Sequence, residues 1–240
     1  MYLKYTLSGH LYISPEDDCR TIVNAMLKTG YKEDFCIADD FSPEFITNLM
    51  EAGFLIMSMN LADPNDKPEY ILLPKLHTER SALFFEDLHV KKSVRRLLSR
   101  YELRPDADFE HIIDRCVEKH GQDWLTPPLV ESIKKIRRDR AGKETKKLAP
   151  TVNAYPASFA LYREGKLAAG EFGVVCGKTY TSYSGFYDED NAGTVQLILT
   201  ARYLEEQGFL FFDLGMPMDY KTALGAIDIS PEDFVSLFRS

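Results

Sequence analysis

The chain has 240 residues, 45% of them hydrophobic and 12% aromatic, which is enough for one substantial core or for a small domain beside a larger one. A formal net charge of −8 argues against indiscriminate nucleic-acid binding. The longer apolar stretches, YILL at 70–73 and FLFF at 209–212, are far short of the ~20 residues a membrane span requires, and the N-terminus lacks the basic region and apolar core of a signal peptide.

Residues 2–6 and 10–13 alternate apolar and polar side chains around Ser8-Gly9, the pattern of a hairpin. Ser14-Pro15-Glu16 reads as the cap of a helix running to about Lys28 and stopped by Gly30. Ser42-Pro43-Glu44 opens a second helix, with Phe45 and Leu49 on its buried face and Gly53 as its stop. The polar, proline-bracketed stretch DPNDKP at 63–68 is a turn, and it is where a boundary is expected between a small N-terminal domain (1–66) and the main domain (67–240).

Strands are expected at 70–73 and near Ser81–Phe85. The following VKKSVRRLLSRY reads as one helix whose stripe is Val90, Val94, Leu97, Leu98 and Tyr101. Its other faces carry Lys91, Lys92, Arg95, Arg96 and Arg100, one docking face for an anionic partner. Asp108–Lys119 is a further helix, and another starts at Thr126-Pro127-Pro128 before dissolving into KKIRRDRAGKETKK, where a solvated loop is the expectation. From Ala157 the pattern becomes a meander of three antiparallel strands, broken at Glu164-Gly165 and Gly177-Lys178. A helix from Ala192 to Gln207, the apolar strand FLFFDLG and a last helix capped by Ser230-Pro231-Glu232-Asp233 complete the order. Strands, then helix, then strand resemble the core of the acetyltransferase-like fold: a mixed, mainly antiparallel sheet flanked by helices, an α/β (α+β) class with a small N-terminal α/β region.

Cys19, Cys36, Cys116 and Cys176 form no C-x-x-C pair, so they read as buried free thiols in a reducing compartment. His10, His77, His89, His111 and His120 have no ligand spacing, and no metal is expected. The G-K-T string at 177–179 lacks the first glycine of a phosphate loop.

Several segments together resemble the leucyl/phenylalanyl-tRNA–protein transferases. The strongest is GFLFFDLGMPMDYKTALGAIDISPEDFVSLF, and FEDLHVKKSVRRLLSR is similar to that family's basic helix entry. DDFSPEFITNLMEAGFL, QDWLTPPLVESI and REGKLAAGEFGVVCGKTY match more weakly, in the same order, from about residue 38 to the end. The resemblance implies transfer of a leucine- or phenylalanine-like amino acid from aminoacyl-tRNA to a protein or peptide N-terminus, by a cytoplasmic monomer with no cofactor beyond the tRNA donor and no membrane association. It implies a proton-handling role for Asp213, an amino-acid pocket around Trp124, Met57, Tyr183 and Phe186, with Tyr162 nearby, and tRNA binding at Lys91, Lys92, Arg95, Arg96 and Arg100.

Departures accompany it. Ala160 stands where the family has an acidic residue, Gly215 where it has the glutamine two residues after the aspartate, and Ser182-Tyr183-Ser184 replaces a glycine-glutamate-serine element. Two other readings follow: a binding protein for tRNA or peptide that kept the fold, or an acyl-coenzyme A-dependent enzyme. The second is opposed by the acidic YDEDNAGT at 187–194, which would repel a pyrophosphate.

Overall fold

The structure is a computed structural model that describes residues 3–63, 65–141 and 148–240. A short hairpin, β1 (Lys4–Tyr5) and β2 (Leu11–Tyr12), precedes α1 (Cys19–Thr29). Gly30 ends α1 in the left-handed conformation, as expected. The start differs: Ser14 and Asp17 close a turn on each other, and the helix begins only at Cys19, capped by the Asp18 side chain on the amide of Arg20. Ser14 is engaged with Asp17, and the Asp18 carboxylate accepts from a free amide of the first turn in its place.

Helix α2 (Pro43–Ala52) has the expected Ser42 cap and Gly53 stop. Two strands follow, β3 (Leu55–Asn60) and β4 (Tyr70–Lys75), paired antiparallel from Leu55↔Lys75 to Asn60↔Tyr70. The turn at 63–68, which includes residue 64 outside the described residues, joins these two strands. The chain enters the large sheet at β5 (Arg80–Leu83). The single helix expected over 90–101 is instead a one-turn α3 (Lys92–Arg95) and a 3₁₀ turn at Leu98–Arg100. Charge repulsion among its cations is unrelieved by any acidic partner within the segment, and only Val94 and Leu98 of its apolar stripe are fully buried.

Strand β6 (Glu102–Pro105) was not expected; it forms an edge of the sheet against the longest strand. Helices α4 (Phe109–His120) and α5 (Pro127–Ala141) follow. Helix α5 runs through most of the basic stretch, and residues 142–147 of that stretch lie outside the described residues. Lys134, Lys135, Arg137 and Arg138 pair with Asp114, Asp139, Asp106 and Glu110, so its charges face protein carboxylates.

The meander is β7 (Thr151–Arg163), β8 (Lys166–Gly177) and β9 (Thr179–Tyr187), followed by α6 (Ala192–Glu206) and β10 (Phe211–Asp213). Helix α7 (Asp219–Thr222), β11 (Ile227–Ile229) and the Ser230-capped α8 (Pro231–Phe238) complete the chain. Strand order is β11-β5-β10-β9-β8-β7-β6, and β10 with β9 is the parallel pair in an otherwise antiparallel sheet. This is the mixed sheet flanked by helices that the sequence order implies.

The alternation of side chains along the strands loads both faces of the sheet. One carries Phe172, Val174 and Phe211 under α1, α2, α4 and α5; the other carries Phe159, Val175, Tyr180 and Phe212 under α6. All four cysteines are buried, and burial pushes the thiols of Cys36, Cys116 and Cys176 up to about 12. Between β8 and β9, Gly173 admits no side chain: a Cβ there would lie 2.1 Å from the Thr181 carbonyl oxygen and 2.9 Å from the Tyr180 ring. Backbone cannot yield as a side-chain tip would, so Gly173→Ala is expected to destabilise the protein by about 3 kcal/mol, read by urea unfolding.

Candidate active site

Pairing between β9 and β10 ends at Asp213↔Thr181. Beyond it β9 runs on through Ser182–Tyr187, while the chain after Asp213 turns toward β5, with the Leu214 amide bonding Ser81 O and the Ser81 amide bonding Gly215 O. The two strands therefore part beyond Thr181, leaving that edge of β9 without a β10 partner, and we take the opening at the C-terminal end of β10 as the candidate cleft. A bulge at this point, between the pairs Gly173↔Ser182 and Phe172↔Ser184, inserts Tyr183 as an extra residue in β9. Bulges re-aim side chains, and this one changes which residues of β9 face each side of the sheet just where the cleft begins. Ser182, Tyr183, Ser184 and Gly185 are partly exposed, and Tyr187, Met216, Met218 and Tyr220 stand exposed nearby.

Asp213 closes the base of the cleft. It has no exposed surface and is held by Arg80, which is itself 1% exposed. The guanidinium donates from Nε to Oδ1 at 3.0 Å and from Nη2 to Oδ2 at 2.8 Å; Thr181 Oγ1 donates to Oδ2 at 2.8 Å and the Gly215 amide to Oδ1 at 2.9 Å. Both oxygens are thus saturated by donors from inside the protein. Asp213 thereby anchors the loop that forms the cleft wall. Gly215, at φ +74, occupies the left-handed region that lets its amide turn back to Asp213, a conformation costly for a glutamine. Lys221 completes the wall by donating Nζ to Leu214 O and Met216 O at 2.6 and 2.7 Å; burial pushes its pKa down to about 8.

The sequence reading missed Arg80, and its signal was faint: a charged residue entering a strand of small and apolar side chains. It also missed Glu171. That residue sits alone in the apolar run AAGEFGVV of β8, is 1% exposed, and has its carboxyl pushed up to about 7, first by burial. Ser182 Oγ donates to its Oε2 at 2.7 Å.

Of the residues expected to form a pocket, Met57, Trp124 and Tyr183 converge on β3. The amide of Ser58 bonds Trp124 O at 2.9 Å, and the amide of Ile56 bonds the Tyr183 hydroxyl at 3.3 Å. Leu55, at the start of β3, lies 3.6 Å from where a Cβ on Gly215 would be, so β3 borders the cleft. Phe186 is not with them: it is 2% exposed, packed into the core, with the Arg115 guanidinium 4.6 Å above its ring. Tyr162 is also elsewhere, bonded to Asp108 with Arg104 stacked on it. Lys91, Lys92, Arg95, Arg96 and Arg100 are all exposed and form no ion pair among the described residues. Their segment is held by Val94 and Leu98 against Ala192, Val195 and Ile198 of α6 and against Leu224. Among the described residues no cluster of His, Cys, Asp or Glu is arranged to hold a metal ion, and no helix is long and apolar enough to cross a membrane.

A family model described as leucyl/phenylalanyl-tRNA protein transferase matches residues 82–239. The leucyl/phenylalanyl-tRNA–protein transferase of Rubrobacter xylanophilus is 29% identical over 158 residues, covering 65% of this chain and 75% of that protein. Those of Pseudomonas putida and Maridesulfovibrio salexigens are 29% and 30% identical, covering 65% and 66% of this chain and 65% and 63% of theirs, so the match spans just under two thirds of those two relatives. Among solved structures, FemX matches with a TM-score of 0.47 at 12% identity, covering 95% of this chain and 79% of that one. A GCN5-related N-acetyltransferase from Kribbella flavida matches with a TM-score of 0.39 at 13% identity, covering 90% and 73%.

Two stability tests follow from this geometry. Asp213→Ala leaves Arg80 buried and unpaired, and a loss of about 3–5 kcal/mol is expected in denaturant unfolding. The double change Arg80→Met with Asp213→Leu removes both charges together and should cost less than that single change. For Glu171 the sign is opposite to that of most carboxylates. Its folded pKa lies above its unfolded one, so the stability linked to its proton is complete below pH ~4.5 and is lost as pH rises through about 7. Glu171→Gln should therefore raise the melting temperature relative to wild type more at pH 8 than at pH 5.

Proposed function

Because the chain belongs to the leucyl/phenylalanyl-tRNA–protein transferase family, we propose that it moves an amino acid from aminoacyl-tRNA to the N-terminus of a protein or peptide acceptor. The observation that carries the reading is the end of β9–β10 pairing at Thr181, with β3, bonded to the Tyr183 hydroxyl and the Trp124 carbonyl, against the loop after β10; five exposed cations, without an ion pair among the described residues, lie in the segment packed on α6.

An aminoacyl ester is already activated. Its transfer to an amine needs the two reactants held together, a donor for the developing oxyanion and an acceptor for one proton. The exposed edge of β9 beyond Thr181 has backbone N–H groups free of a neighbouring strand, suited to an ester carbonyl or an extended peptide end lying in the cleft. Lys91, Lys92, Arg95, Arg96 and Arg100 neutralise phosphates of the tRNA beside it, a contribution that ignores sequence and weakens with salt. Met57, Trp124 and Tyr183 receive the apolar side chain of the aminoacyl group, the thioether adapting to its shape.

Asp188, Glu189 and Asp190 precede the N-terminus of α6, a helix start where a pyrophosphate would otherwise be welcomed, and this disfavours an acyl-coenzyme A donor. A binding protein without turnover is the competing reading, favoured by the saturation of both Asp213 oxygens.

The experiment is transfer of radiolabelled leucine, phenylalanine and methionine from charged tRNA to peptides with different N-terminal residues. Transfer in any pairing supports the enzyme; salt-sensitive tRNA binding without transfer supports the binding protein. Replacing Lys91, Lys92, Arg95, Arg96 and Arg100 with glutamine should weaken tRNA binding about equally for every charged tRNA. It should also flatten the dependence of log K on log salt by roughly 0.7–0.9 for each phosphate that is no longer neutralised.

A further inference from the structure

Glu171 is a buried charge without an obvious structural purpose. Its strand neighbours are Gly170 and Phe172, and across the sheet it faces Gly185, where any side chain would come within 3.2 Å of its Cβ. The glycine leaves the space that the carboxyl fills. Oε2 accepts from Ser182 Oγ, but Oε1 has no hydrogen-bond partner and is sealed from solvent. Gln196 and Thr200 of α6, 3% and 0% exposed, lie over the carboxyl with the amide of one bonded to the hydroxyl of the other at 3.0 Å. Tyr180 beside it on β9 also buries an unpartnered hydroxyl. The charged form gains no cation in return, for the groups that set its proton affinity are burial and the neutral Ser182, Gln196 and Thr200. Orphaned buried oxygens are costly, and one retained beside a cleft calls for a use.

Ser182 connects this carboxyl to the cleft. It is the first residue of β9 past the last pair with β10, and it is partly exposed. Thr181 and Ser182 thus bond two buried carboxylates in succession, Asp213 and Glu171. Asp213 accepts on both oxygens, whereas Glu171 accepts one bond, from Ser182, with the Gln196 and Thr200 side chains close enough to favour its ionised form. Lys221, the other buried ionisable group at the cleft, is committed to two carbonyls.

We propose that Glu171 is the proton acceptor of the transfer reaction, reached from the cleft through the hydroxyl of Ser182. The inference rests on the transferase reading above and adds the proton path. As the acceptor's α-amine nitrogen bonds to the ester carbonyl carbon, its proton passes to Ser182 Oγ while the serine's own proton passes to Glu171. When the carbon–oxygen bond to the tRNA ribose breaks, the proton returns by the same path to the ribose oxygen, and Glu171 is again a carboxylate. No other reactant is needed. A group titrating near neutrality suits both halves of this exchange. The titratable groups around Glu171 are Tyr180 of β9, Tyr220 of α7 and Cys116 of α4, all neutral at pH 7.

The test is the single-turnover transfer rate at saturating peptide between pH 5.5 and 9, for wild type, Glu171→Gln, Ser182→Ala and Ser182→Thr. Wild type should show a limb near pH 7 separate from the titration of the acceptor amine near 8. Glu171→Gln and Ser182→Ala should each lose that limb and at least about 100-fold in rate, with KM for charged tRNA unchanged, and Ser182→Thr, which restores a hydroxyl, should recover part of the rate. A Glu171→Gln enzyme with the wild-type rate and profile overturns the relay alone. So does a loss that is uniform across pH and accompanied by a raised KM, the mark of disturbed packing. No transfer by wild type from any charged tRNA overturns the transferase reading and the relay with it.

Discussion

The ion pair between Arg80 and Asp213 is the constraint on which the rest of the site depends. It joins groups 133 positions apart in the chain and is sealed from water, so each charge is tolerable only because the other is present. Arg80 also donates to the carbonyl of Gly53, the residue that stops α2, and stacks 4.0 Å from the Phe234 ring of α8. Asp213 takes in Thr181 of β9 and Gly215 of the loop beyond. One pair thereby fixes β5, β9 and β10 to helices from both ends of the chain. It sets where β10 ends and how sharply the following loop leaves the sheet. The cleft is the consequence.

Around that opening the molecule divides its chemistry. Asp213 is bonded on both oxygens to protein donors, and Glu171, bonded to the neighbouring β9 residue, has no cation. The α5 cations are absorbed by acidic partners on α4 and in the loop before it, whereas those at 91–100 remain exposed on a short segment fastened by Val94 and Leu98. An acidic protein thus presents a local basic face, where net charge alone predicts little binding to a polyanion.

The legibility of the fold followed the strength of local signals. Serine–proline–glutamate caps placed α2 and α8, glycines in the left-handed region ended α1 and α2, and the alternation from 157 onward marked the meander. Strand β6, of four residues, and β10, of three, owe their existence to neighbours; β10 was seen only because its residues are all apolar before the aspartate. The basic segment misled because an amphipathic pattern says which face would be buried, not whether five cations without acidic partners will hold a helix together.

By itself the sequence determined the mixed class, the order of elements, the buried thiols, the family resemblance and the two places where charge departs from the average, because each depends on composition or on spacing within a few residues. Only the tertiary structure decided what the polar residues do. Asp213 looks the same on paper whether its oxygens face substrate or Arg80, and Glu171 looks like any polar residue in a strand until Gly185, Ser182 and α6 are folded around it. Burial and hydrogen-bond partners come from residues far apart in the chain, and those two quantities set both the cost of a charge and its capacity to accept a proton.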